Sequence, residues 1–399
     1  MIAPSSQQTS RVPHEARARF AGLDVNTWLV SHSMGAPPLA ARDALLRYHA
    51  QWADGGPEGA WPAWLDEARA VADGIGEIIG APAGTVSLAP NVSVLQSALA
   101  SALDFAANGT GPARPWSGRN EVVYEALQFP SLAYVWTAWE RAGAKTVRVP
   151  TDDGRTIPTD RICSAITERT AVVVLSHAYY QSGVVIDVAT IAARAKEAGA
   201  LVVLDAYQTT GTLPYDVTSL DLDVVVGGSH KWLCGGPGCG WIYVRPSLRE
   251  AFRPLVTGWF AHRDPFAFEP PPIDYATTQL RWATGTPTIP GYLVAKAGHD
   301  IIREIGVPAI REHNVRLTTR LTEGALERGW RVSTPHDARE RTGWVGIDVP
   351  DGERMLHELI ARRIYVDYRP GCGLRVSAHL YTTDEEIDRF LSVMEGLVG

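Results

Sequence analysis

Lysine is nearly missing from this chain, with four among 399 residues against 33 arginines. Arginine stays protonated and cannot condense with a carbonyl, whereas a desolvated lysine amine can lose its proton and form an imine. Schiff-base chemistry is therefore confined to Lys145, Lys196, Lys231 and Lys296. Cysteine is equally sparse. Cys163, Cys234, Cys239 and Cys372 make no disulfide framework, and neither they nor the 11 histidines show zinc-ligand spacing, so no metal site is expected. No apolar run reaches the ~18 residues of a membrane span, and no early apolar segment reads as a secretory signal. The expectation is a cytoplasmic protein with reduced thiols and no membrane partner. A net charge of -7, a pI near 5.9 and the lack of a basic stripe exclude nucleic acid as a partner.

Three of the lysines have solvated surroundings. Lys196 lies on the wet side of an amphipathic stretch between Asp187 and Gly199, Lys145 sits in a helix-to-strand connection, and Lys296 falls inside a predicted helix. Lys231 differs, because it follows the apolar run Leu222-Asp-Val-Val-Val226 and opens a glycine-rich loop, Gly227-Gly-Ser-His-Lys231-Trp-Leu-Cys-Gly-Gly-Pro-Gly238. Asp205 ends a second such run, Ala200-Leu-Val-Val-Leu-Asp205. That pattern predicts a buried parallel strand whose carboxyl end opens onto a ligand crevice. A carboxylate there needs a cation, and the protonated ring nitrogen of pyridoxal phosphate is one that pairs naturally with an imine-forming lysine.

Alternating apolar runs and helical stretches from about 85 to 255 predict an α/β fold with a largely parallel central sheet and crossover helices. Helices are expected near 37–53, 61–79, 289–305 and 308–328, and a smaller C-terminal α/β domain with strands at 343–349 and 372–378 and helices at 351–362 and 383–398. Residues 1–24 read as a flexible arm. The expected organisation is an arm and first helix joining the small domain (1–55), a large cofactor-binding domain (56–286) and a small domain (287–399).

The segments Leu204-Asp205-Ala-Tyr-Gln208 and Ser229-His-Lys231-Trp-Leu-Cys-Gly-Gly-Pro-Gly238 resemble the class V aminotransferase superfamily of fold type I pyridoxal-phosphate enzymes, kynureninase most of all and cysteine desulfurases more distantly. The resemblance runs from about Trp28 to the C-terminus. It implies that pyridoxal 5'-phosphate is held by Lys231, which is also the catalytic base, and that Asp205 faces the ring nitrogen. It also implies phosphate binding by Val92 and Ser93 at a helix N-terminus, stacking by Phe129, and contacts from Gln208 and His230. Phe260 and Thr286 would complete the phosphate pocket, Thr286 from a partner subunit, so a homodimer with its active site at the interface is implied. On the substrate side it points to an Arg375 clamp on an α-carboxylate, with His32, Ser33 and Tyr180 nearby.

Departures from kynureninase occur at His230, which replaces tyrosine, at Leu132, which replaces aspartate, and at Gln208, which replaces histidine. Persulfide chemistry is disfavoured, since Cys372 lies in a tight Pro-Gly-Cys-Gly turn just before Arg375. Ser31-His-Ser-Met-Gly35 imitates a lipase elbow, but Pro37-Pro38 follows where that motif needs a helix. The expected activity is a lyase-type side-chain cleavage of an L-amino acid or its conjugate, such as C–S β-elimination through an external aldimine and quinonoid, with a place in secondary metabolism. Kynureninase-type Cβ–Cγ hydrolysis, transamination and decarboxylation-linked deamination are the alternatives. A cofactor-free binding protein on this fold is a further one, opposed by the joint presence of Lys231, Asp205 and Arg375.

Overall fold

The chain is described by a computed structural model covering residues 14–105 and 116–398. Short β1 (Thr27–Trp28) precedes the long α1 (Leu39–Ile79), which is followed by β2 (Val86–Ala89) and α2 (Val92–Ser101). Then come β3 (Glu121–Glu125), α3 (Pro130–Ala138), β4 (Lys145–Val149), α4 (Thr159–Ala165), β5 (Thr170–Ser176), α5 (Val188–Glu197), β6 (Leu201–Asp205), β7 (Val224–Gly228) and β8 (Gly240–Val244). The chain closes with α6 (Ile289–Ile305), α7 (Val307–Glu327), β9 (Arg331–Val332), β10 (Trp344–Asp348), α8 (Gly352–Ala361), β11 (Ile364–Tyr365), β12 (Asp367–Arg369), β13 (Gly373–Ser377) and α9 (Asp384–Val398).

The valine-rich runs assemble a seven-stranded sheet in the order β2-β8-β7-β6-β5-β3-β4. The β4-β3-β5-β6-β7 stretch is parallel, whereas β8 runs antiparallel to both β7 and β2. Branched side chains on both faces are buried, as a sheet covered by helices on two sides requires. A second core, including Leu317, Val345, Leu374 and Phe390, fills the space between α7, α9 and the four-stranded sheet β12-β13-β10-β9.

Three expectations need correction. The gap between the first two helices is itself helical apart from Gly56, whose φ of 53° and ψ of -166° bend α1, and Pro57 then stands where its missing N–H is least costly. Residues 14–24 are no arm. His14–Arg19 forms a 3-10 turn, Ala16, Phe20 and Leu23 are buried against Ile301, Ile310 and Tyr381, and Arg17 pairs with Glu386 at 2.9 Å. Residues 1–13 lie outside the described chain. The strand β12 was not expected, because its Asp-Tyr-Arg sequence carries no apolar alternation.

The site is positioned by register. Ser176 pairs with Asp205, and Asp205 with Val226, so the carboxyl ends of β5, β6 and β7 emerge side by side. The loop after β7 turns back over this edge and delivers Lys231. Gly35 permits the fit, since a Cβ there would meet the Lys231 carbonyl oxygen at 2.3 Å and the Cys234 sulfur at 2.8 Å. The elbow-like segment 31–35 is thus a backbone brace on Lys231, with Gly35 N–H donating to the His230 carbonyl at 2.9 Å.

Candidate active site

A cavity of about 200 Å³ opens at the carboxyl ends of these strands, and Lys231, Asp205, Gln208, His230, Phe129 and Tyr180 line it with Val92 and Ser93. The Lys231 amine lies 4.8 Å from the centre of the Tyr207 ring and 5.6 Å from that of Phe129. Desolvation lowers its pKa to about 8, against the opposing pull of Asp205. Asp205 is 6% exposed, and burial raises its pKa to about 6 although the Tyr207 N–H donates to its Oδ1 at 2.9 Å. The two groups are a buried acid and a reactive amine whose environments draw their pKa values towards each other.

At one end of the cavity α2 begins. Asn91 caps it by accepting the Val94 N–H at 3.1 Å, leaving the earlier amides of Val92 and Ser93 at the cavity rim, where helix N–H groups and dipole suit an anion. Phe129 begins α3, with its ring 39% exposed and packed edge-on against Tyr180 at 5.1 Å. Its backbone is set by Gln128, whose Oε1 accepts the Phe129 N–H at 3.0 Å and the Ser176 hydroxyl at 2.6 Å. Behind it Glu125 is fully buried, accepts the Ser176 N–H at 3.0 Å, and has its pKa raised to about 8 by burial. Gln208 donates its Nε2–H to the His32 carbonyl at 3.2 Å while its buried Oε1 lacks a partner among the described residues. Burial lowers the His230 pKa to about 4, so this imidazole is neutral.

Arg375 lies on β13 and is 3% exposed. Its Nε donates to Asp367 Oδ1 at 2.7 Å, Nη2 makes a shorter bond to Asp367 Oδ2, and Nη1 donates to the Tyr180 carbonyl at 2.6 Å. Through Tyr180 it is tied to the cavity wall. His32 is buried and its Nε2 meets Asp367 Oδ1 at 3.0 Å, so it stands behind Asp367 rather than on the cavity. Ser33 sits in the turn closed by its N–H on the Val30 carbonyl and does not line the cavity.

Phe260 and Thr286 are not brought to Lys231 within one chain. They line a separate, mainly apolar cavity of about 290 Å³ beside α1 and β2. This corrects the assignment of Phe260, which is 4% exposed and packs on Trp259 at 4.1 Å and Trp61 at 6.2 Å. Tyr207, Glu125 and Asp367 were missed. Tyr207 lies in the motif already singled out, whereas Asp367 carried no sequence signal, because the strand β12 that sets it opposite Arg375 shows no apolar alternation. Glu125 had none, because a strand-end glutamate reads as solvated until the fold buries it.

Residues 85–390 match the aminotransferase class-V family. The chain belongs to that family. An uncharacterized aminotransferase, YcbU of Bacillus subtilis, is 27% identical over 376 residues, covering 94% of this chain and 95% of that protein. Kynureninase of Pseudomonas fluorescens is 27% identical over 384 residues, covering 93% and 89%. Among solved structures, an apo cysteine desulfurase from Thermococcus onnurineus superposes with a TM-score of 0.84 at 22% identity, covering 97% of this chain and 98% of that one. The cystine C–S lyase C-DES does so with a TM-score of 0.84 at 21% identity, covering 94% and 99%.

The protein is a pyridoxal 5'-phosphate enzyme, and related structures carry that cofactor. The residues present fit it. An unpartnered buried Gln208 Oε1, a helix N-terminus, a half-exposed aromatic ring, a buried carboxylate and a low-pKa lysine all border one cavity. Among the described residues no helix is long and apolar enough to cross a membrane, and no cluster of possible metal ligands occurs.

Proposed function

We propose that this class-V enzyme is a lyase that cleaves a side-chain bond of an L-amino acid or amino-acid conjugate, with β-elimination at a C–S bond as the best fit. The observation that carries this reading is the largely apolar lining that Phe129, Leu132, Ala178 and Tyr180 give the Lys231 cavity, with Ser131 and Ser176 among them. An apolar, aromatic wall disfavours addition of water across a substrate carbonyl and suits a polarisable sulfur leaving group. Leu132 is 1% exposed, so its side chain is firmly packed at this point.

When bound, pyridoxal 5'-phosphate supplies an electron-accepting ring and an aldehyde. Lys231 would hold that aldehyde carbon and, as a free amine, would take and return a proton at the substrate Cα, a role suited to its pKa of about 8. Asp205, ionised when it faces a cation, keeps the ring nitrogen protonated. Val92 and Ser93 would hold the phosphate with their amide N–H groups, Phe129 would stack on the ring, and Gln208 and His230 line the same cavity. Arg375 holds the substrate carboxylate. The active unit is a homodimer in which Thr286 reaches the partner's phosphate. Support for it is the position of Thr286 in a cavity away from its own Lys231, beside an aromatic patch where Phe266 and Phe268 are 47% and 72% exposed.

A second reading, kynureninase-type hydrolysis, is favoured by Tyr180, whose ring lines the cavity next to Phe129 and would meet an aryl side chain. Purified holoprotein mixed with S-substituted cysteines, kynurenine and alanine separates the two. Pyruvate with thiol establishes elimination, anthranilate with alanine establishes hydrolysis, and accumulation of the aminated cofactor without cleavage establishes transamination and refutes both.

A further inference from the structure

The arginine assigned to the substrate carboxylate already carries a carboxylate. Asp367 stands opposite Arg375 in the β12–β13 pair and takes its Nε–H at 2.7 Å together with a second bond from Nη2. Nη1 serves the Tyr180 carbonyl, and the guanidinium face lies 5.4 Å from the Trp344 ring. A guanidinium has five N–H groups, so only one on each terminal nitrogen is left, and the paired edge of the fork is full. The Arg375 side chain is only 4% exposed, which gives a second anion no aqueous screen against Asp367. An α-carboxylate that takes the Nε–Nη2 edge must therefore displace Asp367, and one that leaves Asp367 in place is limited to the single N–H left on each terminal nitrogen.

Asp367 also has somewhere to go. Its Oδ1 receives His32 Nε2 at 3.0 Å, and its Oδ2 lies 3.5 Å from Nη2 of Arg369, a side chain 46% exposed at the rim. Burial acts to raise its pKa, but His32 and Arg375 hold this carboxyl well below the usual range, so it is an anion throughout the working pH range. A short strand at the sheet edge carries it, with 14% of its side chain exposed. Exchanging one carboxylate for another at Arg375, while Asp367 turns to Arg369, leaves every charge paired.

We propose that Asp367 is an internal stand-in for the substrate carboxylate, filling the Arg375 fork in the empty enzyme and ceding it to an α-carboxylate on binding. Asp367 is thus a specificity-determining residue that lowers affinity for carboxylate ligands in general. Amino acids whose amine also engages the cofactor gain over simple acids. The proposal rests on the reading of Arg375 as the carboxylate clamp.

The test is an absorbance titration of holoprotein with two probes, L-alanine and L-alaninamide, in wild type, Asp367→Asn and Arg375→Gln. Asp367→Asn is expected to bind L-alanine about ten-fold more tightly or better, with L-alaninamide within about two-fold of wild type. A purely structural role would weaken both probes together. Unchanged or weaker L-alanine binding in a folded Asp367→Asn overturns the proposal. Arg375→Gln tests the clamp separately, since unchanged preference for L-alanine over the amide in that variant refutes the clamp itself. If Asp367→Asn does not fold, a crystal structure of wild type with L-alanine decides: Asp367 out of the fork supports the proposal, and a retained Asp367–Arg375 pair overturns it.

Discussion

Replacing Gly240 by alanine presses on the phosphate end of the site from behind, without changing the identity of any residue that would contact the cofactor. Gly240 starts β8 where it passes the first turn of α2, and a Cβ there would lie 2.6 Å from the Asn91 carbonyl carbon and 2.8 Å from the Val92 nitrogen. Both neighbours are backbone and cannot rotate away. Ordinary contact begins at 3.4 Å, so the helix start must retreat by about 0.8 Å. Overpacking of this kind costs roughly 1–3 kcal/mol. The same displacement lengthens the amide bonds from Val92 and Ser93 to a phosphate, and bonds to a charged group contribute about 1.5–3 kcal/mol each. Partial loss of two such bonds predicts about ten- to a hundred-fold weaker cofactor retention. With Lys231 unchanged, kcat at saturating cofactor should fall less than about three-fold. Equilibrium dialysis of apoprotein against pyridoxal 5'-phosphate measures the first quantity and steady-state assay the second. Gly59→Ala, where a Cβ meets nothing within 4 Å, is the control. Cofactor affinity within two-fold of wild type in Gly240→Ala would refute the placement of the phosphate at the α2 N-terminus.

Three further outcomes follow from the same geometry. The rate at which apoprotein captures pyridoxal 5'-phosphate should rise with pH through about 8 and then level off, because desolvation makes the Lys231 free base available there; a rise continuing towards the ordinary lysine range would contradict that environment. Glu125→Gln should leave stability near wild type well below pH 4.5, where the carboxyl is neutral in both folded and unfolded chains. It should become progressively more stabilising up to about pH 8, by about 1.4 kcal/mol per pH unit at most, because in that window only the unfolded chain releases the proton. Urea titrations at several pH values measure this, and a pH-independent difference would show that Glu125 is not held protonated. Phe129→Ala should weaken cofactor binding roughly ten-fold while shifting apoprotein stability by less than about 1 kcal/mol, since its ring is 39% exposed rather than a core element; an equally large loss of stability would make it a packing residue.

How much was legible beforehand follows from the range of each interaction. The parallel sheet was readable from its valine runs, and Lys231 and Asp205 from their places at the ends of two of them, because burial of a strand and exposure of its carboxyl end are written in contiguous residues. The bend at Gly56 was not legible, since adjacent glycine and proline suggest a break whereas helical hydrogen bonding resumes on both sides. The antiparallel direction of β8 was equally hidden. It depends on a short glycine-rich return after Lys231, and direction is decided by what that return packs against, namely α2 and α6.

By itself the sequence determined which residues were chemically able to act: one lysine in an apolar, glycine-rich setting, one carboxylate at a strand end and one arginine in a matching motif. Tertiary structure alone decided which of them meet. It gathered Asn91, Phe129, Tyr180, Asp205 and Lys231 on one cavity from strand ends and helix starts far apart in the chain, and it set Phe260 and Thr286 on another. It also buried Glu125 without an ion pair among the described residues and paired Asp367 with Arg375 across a hairpin. Ionisation and pairing depend on desolvation and on neighbours in space, so composition fixes the available charges and only packing assigns their partners.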